Sequence, residues 1–132
     1  MSELTKPRLL VVDDELDFLE TIVKRLKARK IEVTGVESGF KALDAVMAQD
    51  VDVVILDVKM PGMDGIETLR EIKKKQPLVE VIMLTGHASV ESGIQGMQLG
   101  AFDYVMKPVA LDELLEKMRQ AYERKLINQS KA

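Results

Sequence analysis

Five short apolar segments along the chain predict five β-strands. Segments between them carry apolar residues three or four positions apart, the spacing that gives a helix one apolar face. The central apolar segments are continuous rather than alternating, as in strands buried on both faces of a sheet. The predicted strands are Arg8–Val12, Ile31–Val36, Val51–Leu56, Val79–Leu84 and Tyr104–Met106.

Polar residues at the segment boundaries agree with this order of elements. Helix N-caps favour Ser and Asp, and a proline ends the helix before it. We therefore expect N-caps at Asp14, Ser38, Asp64 and Ser89, and the end of the third helix at Pro77. Five strand–helix units with right-handed crossovers predict an α/β fold, a doubly wound three-layer sandwich around a parallel sheet.

Charged and hydroxyl side chains follow the predicted strands. Asp13 and Asp14 come after the first strand, Asp57 after the third, Thr85 after the fourth and Lys107 after the fifth. These positions meet at the carboxyl edge of a parallel sheet, where the functional crevice of such folds lies. Closely packed carboxylates are the hard oxygen ligands that suit Mg²⁺.

An acidic helix start is the alternative explanation for the segment VVDDE, because the helix dipole favours acids there. Asp57 favours the metal site, since an unpaired carboxylate at the end of a central buried strand would be costly. The sequence therefore predicts a cation site formed by the two acidic segments together.

Composition and charge limit the number of domains, the kinds of metal site and the classes of partner that this chain can have. The 132 residues suit one domain, and 46% hydrophobic residues are enough for a core. No cysteine is present, which excludes disulfides and thiolate metal sites. A net charge of -3 gives no general basic field for nucleic acid. No apolar run is long enough for a signal peptide or a membrane span, so we expect a cytoplasmic protein.

The sequence resembles the receiver domains of bacterial two-component response regulators. Five matches carry the resemblance in the family's order and spacing: the acid pair in VVDDE, the aspartate in LDVKMPGMDG, the threonine in LTG, Tyr104, and the lysine in KP. The resemblance covers about residues 6–127, which leaves residues 1–5 and 128–132 as expected flexible ends. The resemblance implies a five-stranded sheet in the flavodoxin-like order 2-1-3-4-5.

The resemblance also implies a phosphorylation-operated signalling switch. Asp57 would accept a phosphoryl group from a sensor histidine kinase, a phosphotransfer protein or a small phosphodonor. Mg²⁺ would be held by Asp14, Asp57 and the backbone carbonyl of Lys59, and by Asp13 through water. Lys107, after a cis bond to Pro108, and Thr85 would contact the phosphoryl oxygens. The chain would catalyse only its own phosphorylation and dephosphorylation.

The resemblance also suggests how phosphorylation reaches the surface, and the residues themselves suggest further roles. Thr85 and Tyr104 would couple phosphorylation to the surface of helix 4, strand 5 and helix 5, and this surface would form a phosphorylation-dependent homodimer. Lys59 and His87 would set the lifetime of the phosphorylated state, although a single loop histidine is more often a bystander. A simpler role for Tyr104 than that of a switch is packing in the core, as for most single aromatic residues in strands. Gly93, Gly96 and Gly100 predict either a movable fourth helix or close packing.

Three other functions fit the sequence less well than the phosphorylation switch. A flavodoxin-like cofactor module would place its phosphate site after the first strand, where acids would repel it. A metal-dependent phosphatase needs an acid to activate water, but Lys59 stands two residues after Asp57. A phosphorylation-independent pseudo-receiver is opposed by the complete set of acids, threonine and lysine. We expect no direct binding of nucleic acid or membrane by this chain.

The segment LTGHASVESGIQGMQLGAFDYVMKPV resembles receivers attached to enhancer-dependent transcriptional activators. This likeness favours the receiver part of a longer regulator over a stand-alone receiver, and hence a role in transcription regulation.

Overall fold

Five parallel strands form one sheet in the order β2-β1-β3-β4-β5, which confirms the predicted fold class and strand order. The structure is a computed structural model that describes residues 6–60, 62–86 and 90–131. For residues 90–93 it describes the backbone alone. The strands are β1 (Arg8–Val12), β2 (Glu32–Val36), β3 (Val53–Asp57), β4 (Glu80–Thr85) and β5 (Asp103–Met106). The helices are α1 (Leu16–Ala28), α2 (Gly39–Ala48), α3 (Gly65–Lys75), α4 (Val90–Gln98) and α5 (Leu111–Lys131).

The core has two layers because successive side chains of a strand point to opposite faces of the sheet. In β3, Val54 and Leu56 pack into a cluster with residues of α2 and α3. Val53 and Ile55 pack into a second cluster with residues of α1 and α5. Every residue of β3 and β4 is buried, as their continuous apolar sequences predict. This two-sided burial fixes the strand ends that carry the polar side chains.

The helix starts agree in part with the expected N-caps. The Ser38 hydroxyl accepts a hydrogen bond from the Lys41 backbone N–H, and Asp64 forms a reciprocal capping box with Glu67. The prediction for Asp14 is wrong, because the residue at the N-cap position of α1 is Glu15, without a side-chain cap. Asp13 instead accepts the Glu15 N–H at 2.9 Å. Ser89, the fourth expected cap, lies outside the described residues.

The last helix is longer than the sequence indicated. Residues 128–132 were expected to be a flexible end, but α5 remains helical through Lys131. Two adjacent side chains tie this helix to the amino edge of the sheet. The Lys125 ammonium donates to Asp52 at 2.7 Å, and the Arg124 guanidinium donates to Glu80 at 3.2 Å. Buried carboxylates therefore hold α5 at Arg124 and Lys125.

Glycine positions in and after α4 favour close packing over a loosened helix. A Cβ on Gly96 would lie 2.1 Å from the Met83 sulfur, so a larger residue there would require the Met83 side chain to move. Gly100 was expected inside the helix, but α4 ends at Gln98, and Gly100 has a φ of +103° in the chain reversal that follows. Gly93 belongs to the part of α4 whose side-chain environment is not described.

Within the described parts of the chain, no helix has the length and apolar character needed to cross a membrane.

Candidate functional site

The carboxyl edge of the sheet brings the predicted acidic residues together. Asp13 follows β1 directly and Asp57 is the last residue of β3, and both are buried. Asp14 is exposed beside them. One carboxylate oxygen from each of these three residues lies within 4.8 Å of the others. This confirms the predicted convergence of the two acidic segments.

Lys107 reaches into this group from the loop after β5. Its ammonium lies 3.1 Å from Asp13 Oδ2, 3.2 Å from Glu15 Oε1 and 3.5 Å from Asp57 Oδ1. The Lys107 backbone N–H donates to the Thr85 carbonyl at 2.7 Å, which anchors this loop to the end of β4. The bond between Lys107 and Pro108 is cis, as the resemblance implied.

Burial and like charge make Asp57 a perturbed acid. Burial raises its pKa, the negative charge of Asp13 raises it further, and the Lys107 ammonium and the Lys59 backbone N–H lower it, leaving the pKa at about 6. Burial also raises the pKa of Asp13. Burial alone would lower the pKa of Lys107, but the carboxylates of Asp13 and Asp57 raise it. Lys107 is therefore firmly cationic, and the site still holds more negative than positive charge.

The group has the chemistry of a divalent cation site. Its donors are all carboxylate oxygens, the ligands preferred by hard cations such as Mg²⁺. Asp14 is exposed, which leaves room for the water ligands that Mg²⁺ retains. The acidic group at this edge can thus hold a magnesium ion, and the residues present fit it.

The remaining predicted site residues lie around this centre in different ways. Thr85 is buried at the end of β4, and its hydroxyl lies 3.2 Å from the Met106 sulfur rather than bonding to Asp57. Lys59 is exposed two residues after Asp57, and its backbone N–H helps to lower the pKa of Asp57. Tyr104 is 43% exposed, so it is not a fully buried core residue. His87 lies outside the described residues.

Two residues near Lys107 were not singled out from the sequence as site residues. Glu15 forms the second of its three ion pairs, and the ring centre of Phe18 lies 5.0 Å from its ammonium. The acid was visible in VVDDE, and Glu15 and Phe18 both lie close to the start of α1 in the sequence. Their shared partner, however, is far away in the sequence.

The fold and this acidic edge define a class of signalling domain, and sequence comparison identifies its family. The chain belongs to the response regulator receiver domain family, whose model matches residues 9–119. Receiver domains are signalling domains, and membership supports a phosphorylation-dependent switch.

The relatives found by sequence are much longer transcriptional regulators. The chain is 35% identical over 111 residues to the DNA-binding transcriptional regulator NtrC of Klebsiella pneumoniae, covering 84% of this chain and 24% of NtrC. It is 37% identical over 113 residues to the transcriptional regulatory protein ZraR of Escherichia coli K12, covering 86% of this chain and 26% of ZraR. The chain thus spans about a quarter of the length of these relatives.

Solved structures show the same fold. A response regulator receiver domain protein from Clostridium thermocellum superposes with a TM-score of 0.87 at 38% identity, covering 92% of this chain and 98% of that one. NtrX from Brucella abortus superposes with a TM-score of 0.88 at 30% identity, covering 96% of this chain and 29% of NtrX.

Proposed function

We propose that this chain is a cytoplasmic receiver that accepts a phosphoryl group on Asp57 and changes its surface in response. The observation that carries the proposal is the placement of Asp57, a buried carboxylate at the end of a central strand, between two further acids and the Lys107 ammonium. An ionised Asp57 oxygen would attack the phosphorus, forming an acyl phosphate while the donor's leaving group departs with the electrons of its bond.

Lys107 and Thr85 supply the groups that a new phosphoryl oxygen needs. Phosphoryl transfer depends mainly on in-line placement and on neutralisation of the oxygen charges. The Lys107 ammonium, 3.5 Å from Asp57 Oδ1, is close enough to pair with a phosphoryl oxygen on that residue. The Thr85 hydroxyl would exchange its contact with the Met106 sulfur for a stronger bond to a phosphoryl oxygen.

The acidic residues would hold Mg²⁺ beside the nucleophile. Asp14, Asp57 and the Lys59 backbone carbonyl would bind directly, and Asp13 through water. Bound Mg²⁺ would neutralise charge on the phosphoryl oxygens. The Asp13 carboxylate also keeps Lys107 at the site through its 3.1 Å ion pair. The carboxylates thus bring both positive charges next to Asp57.

A sensor histidine kinase or a phosphotransfer protein is the proposed donor, as for two-component receivers. The names of the relatives describe regulators of transcription, and this chain matches about a quarter of their length. We therefore propose that it is the receiver portion of such a regulator. A phosphatase is disfavoured because an exposed lysine, Lys59, replaces the acid that would activate water.

The proposed output surface is formed by α4, β5 and α5. Apolar side chains are exposed there, including Ile94, Met97 and Tyr104. Movement of Thr85 towards a phosphoryl group would open space for Tyr104 to turn inward and change this surface. A two-fold contact through the same surface would give a homodimer. Lys59 and His87 are the proposed regulators of phosphoryl lifetime, since the sequence places both beside the predicted path of attacking water.

The proposal is tested by intact mass after incubation with acetyl phosphate and Mg²⁺. Wild type is expected to gain the mass of one phosphoryl group, and Asp57→Asn to gain none. Asp50→Asn is the matched control, because Asp50 is an exposed acid at the opposite edge of the sheet. Full labelling of Asp57→Asn, or no labelling of wild type, would contradict the proposal.

A further inference from the structure

Lys107 has one carboxylate partner to which the proposed phosphotransfer gives no role. Glu15 Oε1 lies 3.2 Å from the Lys107 ammonium, closer than the 3.5 Å that separates the ammonium from Asp57. The Glu15 side chain is 67% exposed and does not cap α1. Among the described residues, Lys107 is the one side chain that donates a hydrogen bond to this carboxylate.

Phe18 adds a second contact from the same turn of α1. Its ring centre lies 5.0 Å from the Lys107 ammonium, within the range of a cation–π interaction. Glu15 is the N-cap residue of α1 and Phe18 lies in its first turn, and both contact the lysine from this end of the helix. The start of α1 therefore helps to determine where the ammonium sits.

We propose that Glu15 is a positioning residue that draws the Lys107 ammonium away from Asp57 until a phosphoryl group displaces it. The inference rests on the proposed phosphorylation of Asp57. Asp13 and Glu15 hold the ammonium at 3.1 and 3.2 Å, and Asp57 has the longest of the three ion pairs. Glu15 thereby regulates how readily the lysine serves the nucleophile.

The two short ion pairs differ in how easily they break. Asp13 is fully buried and would be left as an uncompensated charge if the lysine moved away. Glu15 is exposed, and water can replace its partner at little cost. A phosphoryl group on Asp57 therefore displaces Glu15 and leaves the pair between Lys107 and Asp13 intact.

The first test compares Glu15→Gln with Asp17→Asn. Asp17 is an exposed acid of the same helix, and its substitution makes the same change in net charge without a described contact to Lys107. The strength of exposed ion pairs predicts that Glu15→Gln is phosphorylated by acetyl phosphate about two- to fivefold faster than Asp17→Asn. Equal rates for these two variants overturn the proposal.

A double-substitution cycle asks whether the effect passes through the lysine. In a Lys107→Ala background, Glu15→Gln and Asp17→Asn are expected to be phosphorylated at the same reduced rate. If Glu15→Gln remains faster in that background, Glu15 acts by repelling the donor, and the proposal is overturned.

A metal-free measurement tests the contact without any phosphodonor. The carbon and proton NMR signals of the Lys107 ε-methylene group are expected to shift in Glu15→Gln and to stay in place in Asp17→Asn. Unchanged signals in both variants overturn the positioning role. The intact mass of wild type distinguishes a failure of the proposed phosphorylation from a failure of the proposed role of Glu15. An unlabelled wild type contradicts the proposed function, whereas a labelled wild type with equal variant rates contradicts only the role of Glu15.

Discussion

At the scale of single residues, the proposed phosphorylation depends on Asp57, a buried carboxylate whose charge destabilises the metal-free fold. Asp57 is only 6% exposed, and burial with the nearby Asp13 raises its pKa to about 6. A carboxylate in such surroundings is stabilised by any cation that joins it. Perturbed acids of this kind are concentrated at functional sites.

Removing the Asp57 charge is expected to stabilise the metal-free protein. A raised pKa means that the folded state disfavours the ionised carboxylate, so above both pKa values this charge lowers the free energy of unfolding. This raised pKa already includes the favourable pair with Lys107, and Asp57→Asn should gain about 1 to 3 kcal/mol at slightly alkaline pH. Urea denaturation with a chelator measures this. A lower free energy of unfolding would mean that the ion pair outweighs the burial.

Residue identity at the site could be read from the sequence, but orientation could not. Asp13, Asp57 and Lys107 end or follow strands, so their meeting follows from the parallel order alone. The contact of Thr85 with the Met106 sulfur depends on side-chain packing between β4 and β5. The contact of Glu15 with Lys107 depends on how the first turn of α1 faces a loop 92 positions away.

At the scale of elements, α5 is fixed to the sheet by charges as well as by its apolar face. Asp52, just before β3, accepts bonds from Lys125 at 2.7 Å and from the Arg8 guanidinium at 3.0 Å. It also accepts the Arg8 backbone N–H at 2.8 Å. The sequence predicted the helix but not its full length, because no local pattern reveals a partner 73 positions away.

Two acids paired with Arg8 provide a matched comparison of buried and exposed charge. The Asp52 side chain is 2% exposed and that of Asp50 is 86% exposed. Asp52→Ala leaves buried Lys125 without its partner and should lower the free energy of unfolding by about 3 to 5 kcal/mol. Asp50→Ala should change it by less than about 0.5 kcal/mol. Similar losses in urea denaturation would contradict the anchoring role of Asp52.

The same anchor should make stability depend on acid pH. Burial alone would raise the pKa of Asp52, but bonds from Arg8 and Lys125 lower it below its ordinary value of 3.8. The unfolded state then binds the proton more readily, so this contribution is present above about pH 4 and is lost as the pH falls further. The stability difference between wild type and Asp52→Asn should shrink on acidification through that range. A constant difference would contradict this linkage.

At the scale of the whole molecule, the acidic edge and the proposed output surface meet through β4 and β5. Thr85 is paired with Met106 in the sheet, and Tyr104 lies on the same strand as Met106 with its side chain exposed. In the proposed switch, a shift of Thr85 would reach a surface that already presents apolar side chains. Because Gly96 packs tightly on Met83, we expect α4 to move as a unit rather than to bend there.

Measurements of self-association test the proposed coupling between Thr85 and the surface of α4, β5 and α5. Beryllofluoride with Mg²⁺, standing in for the phosphoryl group, should raise the mass measured by sedimentation equilibrium towards a dimer. Ile94→Asp should prevent the increase, whereas Phe40→Asp, an exposed apolar residue of α2, should not. Thr85→Ala should prevent it while Asp57 still accepts phosphate. An unchanged mass of wild type would refute the dimer.

The most direct test of the account is to locate the phosphoryl group chemically. Borohydride reduces an acyl phosphate to an alcohol, so a phosphorylated aspartate becomes homoserine and can be found by peptide sequencing in a mass spectrometer. After treatment with acetyl phosphate and Mg²⁺, we expect homoserine at position 57 in wild type and in Asp50→Asn. Homoserine at Asp13 or Asp14 instead, or at no position, would contradict the assignment of Asp57 as the phosphoacceptor.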